Sequence, residues 1–133
     1  MIDNTHISGD LADRTMKSVE YALAGLAARS DVRANNIANE ETPGYLAKRV
    51  DFESSLKSAL QDGTVDELRA QDLNGPKAFH QALRNTIPDP HGNSVNLELE
   101  TTEMTKDNLM VQALVNGYNY KVGLLRSAIS GGR

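Results

Sequence analysis

Two heptad-patterned runs, from about Ser8 to Asn39 and from about Val95 to Ile129, occupy the two ends of a 133-residue chain. In the first, Ala12, Met16, Val19, Leu23, Leu26, Ser30, Arg33 and Ile37 alternate at spacings of four and three, which lines one face of a helix. Ser30 and Arg33 interrupt the apolar seam near its end and call for a polar partner there. The second run keeps the same alternation through Leu97, Thr101, Met104, Asn108, Val111, Val115, Tyr118, Val122, Leu125 and Ile129. At 1.5 Å per residue such a helix is roughly 50 Å long, too long to hide inside a domain of this size. The simplest solution packs the two helices against each other along their seams, with Asn108 as the polar position that sets their register. Seams alone specify architecture and leave function open, since an ordinary coiled-coil hairpin carries the same pattern.

The chain between the runs has a different character. Thr42-Pro43-Gly44 is a firm break, because proline excludes the α conformation from the residue before it and glycine permits the turn after it. Phe52 to Leu60 reads as a short amphipathic helix through Phe52, Leu56 and Leu60, capped by Asp51. From Gln61 to Ser94 the pattern dissolves into turn signals, Asp62-Gly63, Asn74-Gly75-Pro76, Pro88-Asp89-Pro90 and His91-Gly92-Asn93, with room for a short helical stretch around Lys77 to Arg84. A segment of this kind reads as a surface arm or one ordered by partners. Gly117 and Gly123 each cost about 1 kcal/mol against alanine in a helix interior, which suggests the close approach of another backbone or a bend. The expected fold is therefore all-α and elongated: an antiparallel coiled coil of helices at 8–39 and 95–130, joined by a long irregular segment at 40–94 that contains one short helix, all within a single unit, 1–133.

Composition narrows the function classes. Hydrophobic residues make up 39% of the chain but aromatic ones only 5%, so its packing rests on Leu, Val, Ile, Met and Ala. No cysteine is present, which removes disulfides, thiolate catalysis and cysteine-ligated zinc. A formal charge of −4 supplies no footprint for phosphate backbones, so nucleic acid is not an expected partner. The start, Met1-Ile2-Asp3-Asn4-Thr5-His6, has no basic leader or continuous apolar stretch, and no run approaches the ~20 apolar residues that span a bilayer. His6, His80 and His91 lack metal-ligand spacing, no serine has a nucleophile context, and no phosphate-binding loop follows a strand. Glu98, Glu100 and Glu103 stand where carboxylates stabilise the positive end of a helix dipole, and that accounts for them without an acid/base role. No catalytic residue, cofactor or metal is expected, and the chain reads as a non-enzyme.

The most specific stretch is Ala34-Asn35-Asn36-Ile37-Ala38-Asn39-Glu40-Glu41-Thr42-Pro43-Gly44-Tyr45, followed by Asp51-Phe52-Glu53. Three asparagines on the last turns of a helix place amides where they bond to unsatisfied carbonyls or to a neighbouring chain, while Ala34 and Ala38 permit close packing. Asparagine is a poor helix-interior residue, so the cluster implies a purpose beyond propensity, although a helix C-cap before a proline turn would share much of it. Tyr45 offers a flat amphipathic face to a neighbour. This stretch, with the later Gly92-Asn93-Ser94-Val95-Asn96-Leu97-Glu98, closely resembles the motifs of the bacterial flagellar rod and hook protein family, and within it those of proximal-rod subunits. Glu40-Glu41 and Leu46 depart from the common pattern without touching the core of the motif.

The resemblance implies a structural subunit of the flagellar basal body that polymerises through its terminal helices into the rod crossing the periplasm. Copies of itself, other rod proteins, the rod-base adaptor and the inner-membrane ring or export-gate components are the implied partners. The type III export apparatus is implied in transit, which would explain a periplasmic location without a cleaved signal peptide. Asn35, Asn36, Ile37, Ala38, Asn39, Thr42, Pro43, Gly44 and Tyr45 are its motif residues. Assembly would fall to the seam residues, Met16, Val19, Leu23, Leu26 and Ile37 with Leu97, Met104, Asn108, Val111, Val115, Tyr118, Val122, Leu125 and Ile129. Phe52 and Leu56 resemble the element with which early rod and hook substrates dock at the export gate, and the same pair at i and i+4 would serve equally as ordinary packing. A cytoplasmic coiled-coil adaptor or export chaperone is the alternative.

Overall fold

Both heptad runs are helical along their length. The computed structural model describes residues 4–69, 71, 79–80 and 88–131. In order, its elements are α1 (Asn4–Ala38), β1 (Arg49–Val50), α2 (Glu53–Asp62), a single 3-10 turn at Val65–Glu67, β2 (Phe79–His80) and α3 (Leu97–Gly131). The two long helices have 35 residues each. Because α1 begins at Asn4, Asp10 is interior to the helix and pairs with Arg14 one turn on. Asn96 caps α3, its Oδ1 accepting the Leu99 N–H at 3.0 Å.

The long helices lie antiparallel. Glu20 meets Tyr118 at 3.4 Å, Arg29 meets Asp107 at 3.0 Å and Asn36 meets Glu100 at 3.1 Å, so α1 descends as α3 climbs. Their seams meet in the middle: Leu26 is 1% exposed, Met16, Val19, Leu23, Met104, Val111, Tyr118 and Val122 are half-buried, and Val111 and Leu114 pack on the central cluster. Beyond it the seam turns outward. Leu97, Val115, Leu125 and Ile129 are exposed, Ile129 by 78%. The heptad spacing and the 3.6-residue turn drift apart by about 20° per heptad, and helices this short need not supercoil to correct it. Asn108 is also exposed, at a cleft of about 260 Å³ between Ser30 and Met104, and the buried polar group at this level is its neighbour Asp107.

The core joins the middle of α1 to the segment after the proline break: Tyr21, Ala22, Leu26 and Val32 with Val50 and Phe52. Phe52 is 2% exposed and lies flat against α1 where that helix has no side chain. A Cβ on Gly25 would fall within 2.7 Å of three ring carbons of Phe52, while the guanidinium of Arg29, one turn on, sits 4.6 Å from the ring centroid. The ring is thereby held by a missing methyl on one side and a cation–π contact on the other. Asp51 starts α2 as expected, accepting the Ser54 N–H at 3.1 Å, but the buried face of α2 is Leu56 and Ala59, and Leu60 is 56% exposed.

Two expectations for the middle segment need correction. Phe79–His80 pairs antiparallel with Arg49–Val50, in place of a helix over Lys77 to Arg84, the rest of which lies outside the described residues. The chain after α2 is also tied down locally: Gly63 reverses it at φ +74°, Val65 is buried, and Lys17 reaches Asp66 at 2.8 Å. Beside Gly117 and Gly123 there is open space rather than a close backbone.

Gly25→Ala should destabilise the protein despite the better helix propensity of alanine. The gain of about 1 kcal/mol is outweighed by expelling Phe52, whose loss costs about 3–5 kcal/mol. Urea unfolding of the variant should show a lower midpoint.

Candidate functional site

The Asn-rich motif closes α1. Asn39 and Glu40 donate their N–H groups to the carbonyls of Asn36 and Ile37 at 3.1 and 3.2 Å, tightening the last turn. Thr42 to Tyr45 then forms a turn closed by the Tyr45 N–H on the Thr42 carbonyl at 3.2 Å, with Pro43 second and Gly44 third at φ +72°. That is the residue order a type II turn requires. Asn39 holds the turn from the helix side, its Oδ1 accepting from the Thr42 hydroxyl at 3.1 Å and its amide donating to the Asn35 carbonyl at 2.7 Å.

Asn36 is the centre of the site. It is fully buried, and its amide donates to the Lys48 carbonyl at 2.9 Å and to Glu100 Oε1 at 3.1 Å. Its Oδ1 accepts the Lys48 N–H at 2.9 Å and the Tyr45 hydroxyl at 3.3 Å. With two donors and two acceptor sites engaged, the side chain is fully satisfied. One amide thus joins α1, the strand leaving the turn and α3. Ile37 is half-buried, whereas Asn35, Ala38, Thr42, Pro43 and Gly44 are exposed.

A second loop, Asp89 to Ser94, clasps the turn. Asp89 Oδ1 accepts the N–H groups of His91 and Asn93 at 2.8 and 2.9 Å and so shapes the loop. The buried Asn93 donates its amide to the carbonyls of Asn39 and Thr42 at 2.8 and 2.7 Å. Ser94 Oγ accepts the Ala47 N–H at 2.8 Å, and the Gly44 N–H reaches the His91 carbonyl at 2.9 Å. Gly92, at φ +79°, stacks on Gly44: a Cβ there would lie 3.5 Å from the Gly44 Cα. The resemblance includes Asn93 and Ser94 without giving them a role, and the turn signal Pro88-Asp89-Pro90 and His91-Gly92-Asn93 marks the loop and not its docking.

Below the clasp, charge replaces apolar packing. Arg33 donates to Asp107 at 2.9 Å and Glu100 at 3.1 Å and lies 3.7 Å from Glu103, while Arg29 bonds Asp107 and Glu53. Both arginine side chains are only 12% exposed, Glu100 7% and Asp107 8%. Burial disfavours the charge on Arg29, but Glu53 and Asp107 outweigh it and raise its pKa above the ordinary arginine value. A hydrogen bond from Lys106, against slight burial, lowers the Glu103 pKa. Glu100 and Glu103 therefore do more than complement a helix dipole. The legible signal was Glu100, Glu103 and Asp107 at i, i+3 and i+7, opposite Arg29 and Arg33 at i and i+4.

Chemically the site is a joint. Among the described residues no group of three His, Cys, Asp or Glu side chains is placed to hold a metal ion. Its outer side is an open groove of about 410 Å³ formed by Ala28, Asp31, Val32, Asn35, Asn39, Tyr45 and Lys48. Asn36→Asp should destabilise the protein by about 2–4 kcal/mol, because it loses two donated bonds and sets a second carboxylate beside Glu100. Asn35→Ala, at an exposed position, should stay within about 0.5 kcal/mol of the parent. Chemical denaturation of the pair separates an internal joint from a surface motif.

No protein-family model matches the chain. Curated relatives do. Flagellar basal body rod protein FlgB of Bacillus subtilis is 31% identical over 123 residues, covering 90% of this chain and 95% of its own length. FlgB of Escherichia coli is 29% identical over 135 residues, covering 92% and 98%. FlgB of Cereibacter sphaeroides is 34% identical over 107 residues, covering 77% and 84%. The matches run nearly end to end, through both long helices and the joint between them, and the chain belongs to the FlgB family of flagellar basal body rod proteins.

Proposed function

We propose that this chain is a structural subunit of the proximal rod, polymerising through its terminal helices into the drive shaft that crosses the periplasm. The observation that carries this reading is the surface of α3. In a helix of 35 residues, Leu109, Met110, Tyr120, Leu124, Leu125 and Ile129 are all exposed, Tyr120 by 71%. Among the described residues nothing covers them, and neighbouring subunits would. The whole chain, 1–133, acts as one rod subunit in this reading. Its neighbours are copies of itself, other rod proteins, and the adaptor and inner-membrane ring or export-gate components at the rod base. No described helix is long and apolar enough to cross a membrane.

Export through the flagellar type III apparatus completes the proposal. Phe52 and Leu56 belong to the core, Phe52 fully and Leu56 partly buried. An export gate would therefore meet them only on an unfolded chain, and afterwards the same two side chains would pack against α1. Packing and export are separable by mutation. Gly25→Val dislodges the ring while leaving the Phe52–Leu56 segment intact, so export into the periplasm should persist and stability should fall. Phe52→Ala should lower both, as measured by periplasmic fractionation; equal export of the two variants refutes a gate role.

The rod assignment itself is tested with a deletion strain complemented by variants. Leu125→Asp changes a 43% exposed position, so helicity and melting should remain near the parent while swimming and incorporation into purified basal bodies are lost. Val111→Asp buries a charge beside the Leu26 cluster and should lose folding as well. Swimming with Leu125→Asp refutes assembly through this seam. A parent chain confined to the cytosol and absent from basal bodies favours the adaptor or chaperone.

A further inference from the structure

Past Asp107, α3 changes character. From Asn108 to Gly131 it carries no acidic residue, and its only charged side chains are Lys121 and Arg126. Leu109, Ala113, Gly117, Tyr120 and Leu124 follow one another at spacings of four, four, three and four, which is one face of a helix. All five are exposed, and Gly117 has open space where a side chain would stand. This ridge is distinct from the seam that meets α1 through Val111, Leu114 and Tyr118. The opposite end of the helix pair carries more acid than base, four carboxylates against Lys48, which also lines the motif groove, and the exposed Arg49. Asp31 lines the groove beside the motif, Glu40 and Glu41 stand exposed next to Asn39 at its edge, and Glu98 is exposed on the first turn of α3. Among the described residues none of these four acids has an ion-pair partner, and neither have Lys121 and Arg126.

We infer that the far end of this ridge docks in the motif groove of a second copy of the chain. Tyr120 and Leu124 seat against Ala28, Val32 and Tyr45, and Lys121 and Arg126 face Asp31, Glu40 and Glu41. The inference rests on the rod-subunit reading and adds which surface meets which. Apolar ridge meets half-apolar groove, and a cationic helix end meets an anionic one, a complementarity that also sets direction. Because Tyr118 lies beside Glu20, Leu124 sits roughly 25 Å along the helix axis from the groove, given 1.5 Å per residue. The ridge end and the groove therefore stand well apart on one protomer, and in a head-to-tail arrangement they engage different neighbours. Each copy uses its ridge on one neighbour and its groove on the next, a heterologous contact that propagates as an open filament. It also gives exposed Asn35 and the open side of Tyr45 something to touch.

The test uses the full chain in flagellated cells deleted for the native copy, with the photoreactive amino acid p-benzoylphenylalanine in place of Ala128, an exposed position one turn beyond Leu124. Irradiation should give an adduct of twice the 14.5 kDa chain in purified basal bodies, with the cross-linked peptide mapping to 28–48 of the second copy. Asp31→Lys with Glu41→Lys should reduce that adduct at least tenfold, and adding Lys121→Glu and Arg126→Glu should restore it. An adduct with a different protein or another segment, no adduct although the variant is present in basal bodies, or no restoration by the reversed charges overturns the inference and leaves the rod assignment standing. Absence of the unsubstituted chain from basal bodies overturns both.

Discussion

The joint at Asn36 is the interaction on which the rest of the structure depends. A buried amide with four partners has no tolerance for misplacement, since each partner lost leaves a polar group stranded away from water. Its bonds to both backbone groups of Lys48 make a side chain act as a neighbouring strand. Its bond to Glu100 brings the start of α3 to the end of α1. From that point the antiparallel register of the long helices follows, because Arg33 and Arg29 then fall opposite Glu100 and Asp107.

A coiled coil usually takes its register from alternating apolar knobs with an occasional polar residue among them. Here the register comes from a cluster of charges at one end, and the apolar contact occupies only the middle. Buried ion pairs of this kind contribute little net stability against an apolar alternative, but breaking one partner strands the rest, so they specify one alignment strongly. The consequence for function is that α3 need not use its whole length to find α1. One face of its second half is spared from the internal contact, and the apolar residues there stay available to neighbours.

How much of this could be read beforehand depended on the range of the interaction. The long helices, the break at Pro43, the cap at Asp51 and the glycine of the turn all follow from local rules, and each appears where the residues place it. Leu60 and Asn108 lie exposed although the helical period places them on a packed face, because periodicity finds a helical face but not what lies opposite. By its neighbours Gly25 is one more glycine in a helix, and its purpose exists only because Phe52 comes to rest on it. Asn93 is a turn residue by its neighbours and a clasp only once Asn39 and Thr42 are beside it.

The sequence by itself determined the all-α class, the two long terminal helices and the motif that places the chain among flagellar rod proteins, because backbone propensity, side-chain period and turn chemistry act within a few residues. Only the tertiary structure decided that Asn36 faces inward while Asn35 faces out, that Arg29 and Arg33 set the register, and that one face of α3 stays uncovered. Those outcomes depend on residues 50 to 80 positions apart arriving at the same place, where burial and hydrogen-bond geometry choose among arrangements that the local pattern leaves equivalent.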